Sequence, residues 1–100
     1  METLIRIKRA ELSGHIVYTD KAETEMEMDR LLRWEGEESI VYADAIYKSI
    51  RSKLSSGRRE YLHIIHGRTL NGILIYTKGK LVVRSGIDAY YVLVSGKRSH

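Results

Sequence analysis

The stretch that decides the fold is GILIYTKGKLVVRSGIDAYYVLVSG, which covers residues 72–96. Runs rich in β-branched and aromatic residues alternate there with glycine-containing turns, a pattern that is typical of strands joined by short loops. The pattern predicts strands over residues 73–77, 81–84 and 89–95, with turns at residues 78–79 and 86–88. Because such short connections join only antiparallel neighbours, we expect an antiparallel meander.

Both faces of the hairpin predicted around Lys78-Gly79 are rich in apolar residues. Pairing of Thr77 with Lys80 places on one face Ile73, Ile75, Val82 and Arg84. The opposite face carries Leu74, Tyr76, Leu81 and Val83. We expect the second face to meet the main helix, and the first to be covered by residues 20–35 or by another copy of the chain. The candidate interface residues are Ile73, Ile75, Val82 and Tyr91.

The segment before these strands has the most regular helical pattern. Apolar residues recur at steps of three or four over residues 39–55, at Ile40, Ala43, Tyr47, Ile50 and Leu54. A strand over residues 61–66 and a turn at Asn71-Gly72 are predicted to follow. The 100 residues therefore predict a single α+β domain, in which an antiparallel meander sheet of about five strands packs against one main helix.

The first 19 residues predict a hairpin. Alternation of Ile5 and Ile7 with basic residues indicates a strand over residues 3–9. Ser13-Gly14 is typical of a turn, and the β-branched and aromatic residues of the segment 15–19 predict a second strand.

Residues 20–35 allow two interpretations. Asp20 and Glu23 have the spacing of a capping box, which favours a helix. Residues 24–29 instead alternate between polar and apolar side chains, with the period of a strand. We prefer a helix for the second half of this segment and leave the first half open.

Charge is unevenly distributed along the chain. The formal net charge is +4; residues 1–50 carry 7 basic and 11 acidic side chains (net −4), and residues 51–100 carry 10 basic and 2 acidic ones (net +8). Halves of opposite sign can pair within one fold or between two copies, or the basic half can bind an external polyanion. The candidate anion contacts are Arg51, Arg58, Arg59, Lys80 and Arg84.

The sequence contains no pattern that indicates catalysis or metal binding. It has no cysteine, its four histidines are not spaced to chelate one metal, and neither a P-loop nor a nucleophile elbow occurs. We therefore predict a non-enzymatic binding protein that uses no metal or cofactor.

Composition also predicts a cellular setting. The longest apolar run is six residues, 89–94, which is too short for a transmembrane helix, and the charged N-terminal segment is unlike a signal peptide. We expect a cytoplasmic protein without membrane contacts. The absence of glutamine and cysteine and the single asparagine favour a thermophilic source.

The order of elements resembles a known family. A helix over residues 39–55 followed by the strands of residues 72–96 resembles the second half of Roadblock-type domains, which belong with profilin-like folds. The segment HIVYTDKAETEMEM, residues 15–28, is similar to the first hairpin of that family. The resemblance implies that residues 24–29 form a strand, and that the chain is a dimerising module that docks on small GTPases or scaffold proteins.

Two functions therefore follow as expectations. The first is a small, homodimeric protein-protein interaction or regulatory module of the Roadblock type. The alternative is a small nucleic-acid-binding protein that uses the basic second half, where tyrosines offer surfaces on which bases can stack.

Overall fold

The computed structural model of the chain describes residues 2–53 and 59–99. The helices of this part are α1 (Glu2–Leu12), α2 (Asp20–Met28) and α3 (Arg33–Val41). Its strands are β1 (Ile16–Tyr18), β2 (Lys48–Lys53), β3 (Arg59–Arg68), β4 (Leu74–Arg84) and β5 (Ile87–Arg98). The predicted α+β class is confirmed.

The five strands form one mixed sheet in the order β1-β5-β4-β3-β2. Strands β2 to β5 are each antiparallel to their neighbours in sequence. Strand β1 instead runs parallel to β5, with Ile16 beside Tyr91. This parallel pairing is accessible because two helices and three strands separate β1 from β5, and parallel neighbours require such a long connection.

The predicted strand over residues 3–9 is wrong, and so is its hairpin, because this segment forms α1. Leu4, Ile7 and Ala10 are buried and recur every three residues, so they make the apolar stripe of a helix. Ile5, which supported the strand, is 48% exposed. The alternation of isoleucines was therefore a short coincidence within a longer helical pattern.

The turn at Ser13-Gly14 is confirmed, but it ends a helix instead of joining two strands. The His15 N–H donates to the Ala10 carbonyl (2.8 Å), and Gly14 adopts φ +74°. This is the Schellman arrangement, in which a left-handed glycine closes the last helical turn. The chain then enters β1, so the strand predicted around residues 15–19 is confirmed.

Residues 20–28 form a helix, so the strand interpretation of residues 24–29 is wrong, and so is the hairpin that the resemblance implied there. The N-cap is Thr19, whose hydroxyl accepts from the Ala22 N–H at 3.1 Å. Ala22 and Met26 are buried, whereas Met28 is 78% exposed. A spacing of four between the buried residues belongs to a helix packed along one side.

The predicted main helix over residues 39–55 is wrong beyond its first turn. Helix α3 ends at Val41, the chain forms β2 from Lys48, and residues 54–55 lie outside the described part. The Tyr47 N–H donates to the Ile64 carbonyl (2.8 Å), and β2 pairs with β3 from there on. Pairing with a neighbouring strand has outweighed a local helical periodicity.

The turn predicted at Lys78-Gly79 is wrong, because β4 runs straight through these residues. A glycine is needed there for packing: a Cβ at position 79 would lie 2.5 Å from Cζ of the Tyr91 ring. The tight turn is Ser85-Gly86, whose φ values of +53° and +76° match the twist of a two-residue hairpin. The predicted turn at residues 86–88 therefore lies one to two residues too late.

The other predicted strands are confirmed. Strand β3 includes residues 61–66, and β5 includes residues 89–95. The turn at Asn71-Gly72 joins β3 to β4, with Gly72 at φ +82° and its N–H donating to the Thr69 carbonyl (2.9 Å).

The helices pack on one side of the sheet, and the core lies between the two layers. Its strand residues include Ile65, Ile75, Tyr91 and Leu93, all at most 1% exposed. The helices and their connections contribute several further core residues, among them Leu4, Ile7, Ala10, Ala22, Met26, Leu31 and Ile40. We call this side of the sheet the covered face.

Candidate functional site

The other side of the sheet has no helix over it in the described part of the chain. We call this side the open face. Its residues alternate along the strands with those of the covered face, since successive strand side chains point to opposite sides, except where the register between β4 and β5 shifts at Lys78/Gly79 and Val82/Val83. They include Val17 on β1, Lys48 and Ile50 on β2, and on the longer strands Glu60, Leu62, Ile64, His66, Leu74, Tyr76, Lys78, Lys80, Val82, Arg84, Tyr90, Val92 and Lys97.

Lysines and aliphatic residues share the centre of the open face. Ile64 pairs with Lys48 on one side and with Lys78 on the other, so the three form a row across β2, β3 and β4. Ile64 is only 6% exposed, although it lies outside the main core. The register places one lysine on each side of it, where long side chains can cover an apolar neighbour with their alkyl stems.

Cations continue towards the Ser85-Gly86 end of the open face. Lys80 lies 3.1 Å from the Glu60 carboxylate, the one acidic strand residue on this face in the described part. Arg84 lies over the Tyr90 ring at 5.8 Å. Cationic side chains therefore run along most of β4, with a single carboxylate beside them.

An aromatic row occupies the opposite end of the open face and consists of Tyr47, His66 and Tyr76. His66 pairs with Tyr76, and Tyr76 pairs with Lys97 on β5. The Tyr47 ring stacks on the His66 ring with centroids 4.5 Å apart and an interplanar angle of 16°. The Tyr76 ring meets His66 edge-on at 5.5 Å, and the Lys97 ammonium lies 5.6 Å from the Tyr76 centroid.

Acidic side chains are concentrated in the helical layer. Helices α2 and α3 carry Asp20, Glu23, Glu25, Glu27, Glu35, Glu37 and Glu38, against Lys21 and Arg33. Part of this charge is compensated locally: Arg33 contacts Glu23, and the Tyr18 hydroxyl donates to Glu37. The charge asymmetry of the sequence thus becomes a partial separation between the two sides of the sheet, with acids concentrated on α2 and α3 and cations on the open face, although α1 carries three basic residues against two acidic ones.

The four predicted interface residues do not share a surface. Ile75 and Tyr91 are fully buried in the chain's own core, so their assignment to an interface is wrong. The cause is the continuous β4, which places Ile75 opposite Arg98 rather than Val82. Ile73 is partly buried against the core, and Val82 lies on the open face opposite Tyr90.

The predicted anion contacts are also divided. Lys80 and Arg84 lie on the open face, Lys80 in an ion pair and Arg84 over an aromatic ring. Arg51 is exposed, but its register with Tyr61 directs it to the side opposite Lys48. Arg58 lies outside the described residues, as does the side chain of Arg59. Sequence reasoning missed Lys48, Lys78 and Lys97 as a set, because their common face depends on the strand register.

Ser49 and His63 make a Ser–His contact on the covered side of the sheet. The Ser49 hydroxyl lies 2.8 Å from His63 Nδ1, and His63 lines a groove with Arg6 of α1. Burial, together with the positive charge of Arg6, lowers the pKa of His63. Among the described hydrogen bonds, no carboxylate orients the imidazole. The pair therefore lacks the third group of a nucleophilic triad, and we interpret it as a structural contact.

Arg6, in the middle of α1, connects this helix to the sheet. Its Nε donates to Asp88 Oδ2 at 2.8 Å, which ties the first helix to the start of β5. The neighbouring groove, of about 290 Å³, is lined by Thr3, Tyr61 and Leu81 among others. Within residues 2–53 and 59–99, no three histidine or acidic side chains are close enough to hold a metal ion.

A buried carboxyl group lies in the helical layer. Glu11 is 6% exposed, and neither of its carboxyl oxygens has a hydrogen-bond partner. Burial, with a smaller contribution from the charge of Glu37, raises the pKa of Glu11 to about 8. The Tyr91 hydroxyl is buried without a partner as well, and burial beside Glu11 raises its pKa. The sequence signal was the spacing of four from Ile7, which places Glu11 on the buried stripe of α1.

The chain has no match among protein-family models, curated proteins or solved structures at the level of similarity that would show a relationship. The Roadblock resemblance therefore stays a prediction. Of the helices described, none has the length and apolar character needed to cross a membrane.

Proposed function

We propose that this chain binds nucleic acid through the open face of its sheet. The observation that carries the proposal is the separation of charge between the layers. Lys48, Lys78, Lys80, Arg84 and Lys97 lie on the face without helices, while the acidic residues of α2 and α3 lie on the opposite side. A polyanion approaching the open face meets the cations first, with the acidic layer behind the sheet.

The chemistry of the open face also fits this ligand. Lysine ammonium groups supply point charges for phosphates, and tyrosine and histidine rings offer flat surfaces for bases. Most of these cations have no ion-pair partner: in the described part, Glu60 pairs with Lys80, and Lys97 lines a shallow pocket that also contains Glu25 and Asp29. A surface of this composition favours a ligand that combines negative charge with aromatic groups.

Salt dependence is the direct test. We would measure the fluorescence anisotropy of a labelled random-sequence oligonucleotide between about 50 and 200 mM salt, a range over which phosphate contacts weaken strongly. The double variant Lys78→Glu/Lys97→Glu should lose at least about tenfold in affinity, with a shallower dependence on salt.

The matched control reverses the same amount of charge on the helical side of the molecule. Arg9→Glu/Lys21→Glu changes two exposed side chains of α1 and α2 and leaves the open face intact. We expect its affinity to fall less than about threefold, through the long-range field alone. Equal losses in both double variants, or no salt-dependent binding by the original chain, would contradict the proposal.

A second copy of the chain is the other candidate occupant of the open face. Val17 pairs with Val92, and Val82 lies one strand away, so an aliphatic strip favours this alternative. A homodimer of this kind has a mass near twice 11.6 kDa by light scattering, and it persists in high salt because its contacts are apolar. A monomer at high salt would exclude this alternative.

A further inference from the structure

The aromatic row of Tyr47, His66 and Tyr76 is built to receive a flat ligand group. Tyr47 is 68% exposed although one side of its ring is stacked on His66, so the other side of the ring is accessible. His66 in turn contacts Tyr76 edge-on, which holds the outer two rings in a fixed arrangement. We propose, on the basis of the nucleic-acid function above, that Tyr47 stacks an unpaired base and that the ligand is single-stranded nucleic acid.

The position of Tyr47 supports this role over a role in packing. It immediately precedes the edge strand β2, and its backbone is fixed by the hydrogen bond from its N–H to the Ile64 carbonyl. Its side chain extends from this anchored position onto the ring of His66, outside the core residues of the chain. A base placed on the accessible side would extend a stack that already exists, at little cost in side-chain ordering.

Lysines lie in the row next to the aromatic row and at its far end. Lys48 follows Tyr47 directly and pairs with Ile64, and Lys78 continues that row. Lys97 lies at the far end of the aromatic row, beside the Tyr76 ring. A nucleotide whose base rests on Tyr47 therefore has the lysines of the adjacent row beside it, and Lys97 lies three strands away, at about 14 Å.

The shape of the surface selects single strands over duplexes. In a duplex each base is already stacked between its neighbours, and reading it from the major groove requires a helix or a narrow two-stranded ribbon that fits inside. The open face is a broad sheet with its aromatic groups lying on it, which offers ring faces rather than groove-reading edges. Stacking on ring faces is available only to unpaired bases.

The test distinguishes binding through unpaired bases from binding through phosphate groups. We would compare three probes in low salt: a labelled oligothymidylate of about 12 nucleotides, a duplex of the same length, and inorganic polyphosphate as a competitor that has no bases. The original chain should bind the single strand at least about tenfold more tightly than the duplex. Tyr47→Ala should weaken oligothymidylate binding by about fivefold or more, the effect of losing one stacked base. The inhibition constant of polyphosphate should stay the same, because polyphosphate has no base to stack.

Two further variants keep the result interpretable. Tyr61→Ala removes a comparably exposed tyrosine (48%) that lines the groove beside α1, and it should bind all probes as the original chain does. Tyr47→Trp preserves a flat ring and should retain oligothymidylate binding. Loss of affinity in Tyr47→Trp equal to that in Tyr47→Ala would overturn the stacking role.

The outcomes distinguish this inference from the function on which it rests. Salt-dependent binding that is equal for single strand and duplex, or unaffected by Tyr47→Ala, overturns the inference but leaves nucleic-acid binding intact. If neither nucleic acid binds at low salt, the proposed function itself fails, and the inference fails with it.

Discussion

The two faces of the sheet are made by the same strands, yet their side chains differ in burial and in charge. On the covered face, Ile65, Ile75 and Leu93 are essentially without solvent contact. On the open face of the same strands, lysines are interspersed with half-exposed aliphatic residues, and of the side chains that the structure describes there only Ile64 is buried. The difference shows that composition alone does not mark the core of this chain. The register does, because shifting a strand by one residue exchanges its two faces.

The glycines of the two faces are also required for different reasons. A Cβ at Gly67 would lie 1.9 Å from the backbone oxygen of Ser39, so β3 and α3 touch backbone to backbone at this point. Gly79 makes the corresponding room for the Tyr91 ring. The covered face therefore depends on close approach, whereas Gly86 at the open hairpin tip has empty space around it and is needed for its φ of +76°.

The largest expected effect on stability concerns the buried carboxyl group of Glu11 in the helical layer. Because burial raises the pKa of Glu11 from its ordinary 4.5 to about 8, the folded chain holds a proton that the unfolded chain releases between these two pH values. The free energy of unfolding should therefore fall as pH rises through this window, by on the order of 5 kcal/mol in total. Urea unfolding between about pH 4 and pH 9 measures it.

Glu11→Gln is the variant that isolates this contribution. Glutamine has a similar shape and no ionisable proton, so the variant should lose most of the decline in stability between pH 4.5 and 8. Glu27→Gln, on the exposed side of α2, is the matched control and should keep the original pH profile. A Glu11→Gln profile that still declines like the original would show that the carboxyl is accessible to water in solution.

The next effect tests the close approach of β3 to α3. Gly67→Ala forces the new methyl group against the Ser39 carbonyl, which belongs to a helix backbone and has little room to move. We expect the free energy of unfolding to fall by about 3 kcal/mol.

Gly86→Ala provides the comparison for this substitution. Its new methyl group meets open space, and only the left-handed backbone conformation resists it, at a cost of about 1 to 2 kcal/mol. Equal costs for the two variants, measured by urea unfolding, would mean that the contact between β3 and α3 is looser than the structure shows.

The contrast between the faces explains what the sequence could predict. Strands around residues 61–66 and 89–95 and the turn at Asn71-Gly72 depend on local chemistry, namely β-branched runs and a glycine with positive φ, and these predictions are confirmed. The interior of β4 was misread because Lys78-Gly79 has the composition of a turn. A glycine is required at position 79 because a side chain there would overlap the Tyr91 ring. Tyr91 lies 12 residues further along the chain, so no local sequence pattern reveals this contact.

The prediction of a helix over residues 39–55 was wrong for a related reason. The periodicity over residues 39–55 was genuine, but Ile50 belongs to β2, Tyr47 immediately precedes it, and the partner strand β3 lies further along the chain. The candidate site could be predicted only as a charge imbalance. Residues as distant as Lys48 and Lys97 come onto one face through the pairing of β2 with β3, β3 with β4, and β4 with β5, and no pattern in the sequence alone specifies three registers at once.

The smallest expected effect decides whether the open face is open in solution. Val82→Thr replaces a half-buried methyl group by a hydroxyl of nearly the same size, and on a face in contact with water it should change the free energy of unfolding by less than about 0.5 kcal/mol. Ile75→Thr, on the covered face of the same strand, should cost at least about 2 kcal/mol, since it buries a hydroxyl and leaves a void. If Val82→Thr instead costs more than about 1 kcal/mol, and if the unfolding midpoint rises with protein concentration, then a second copy covers this face and nucleic acid does not.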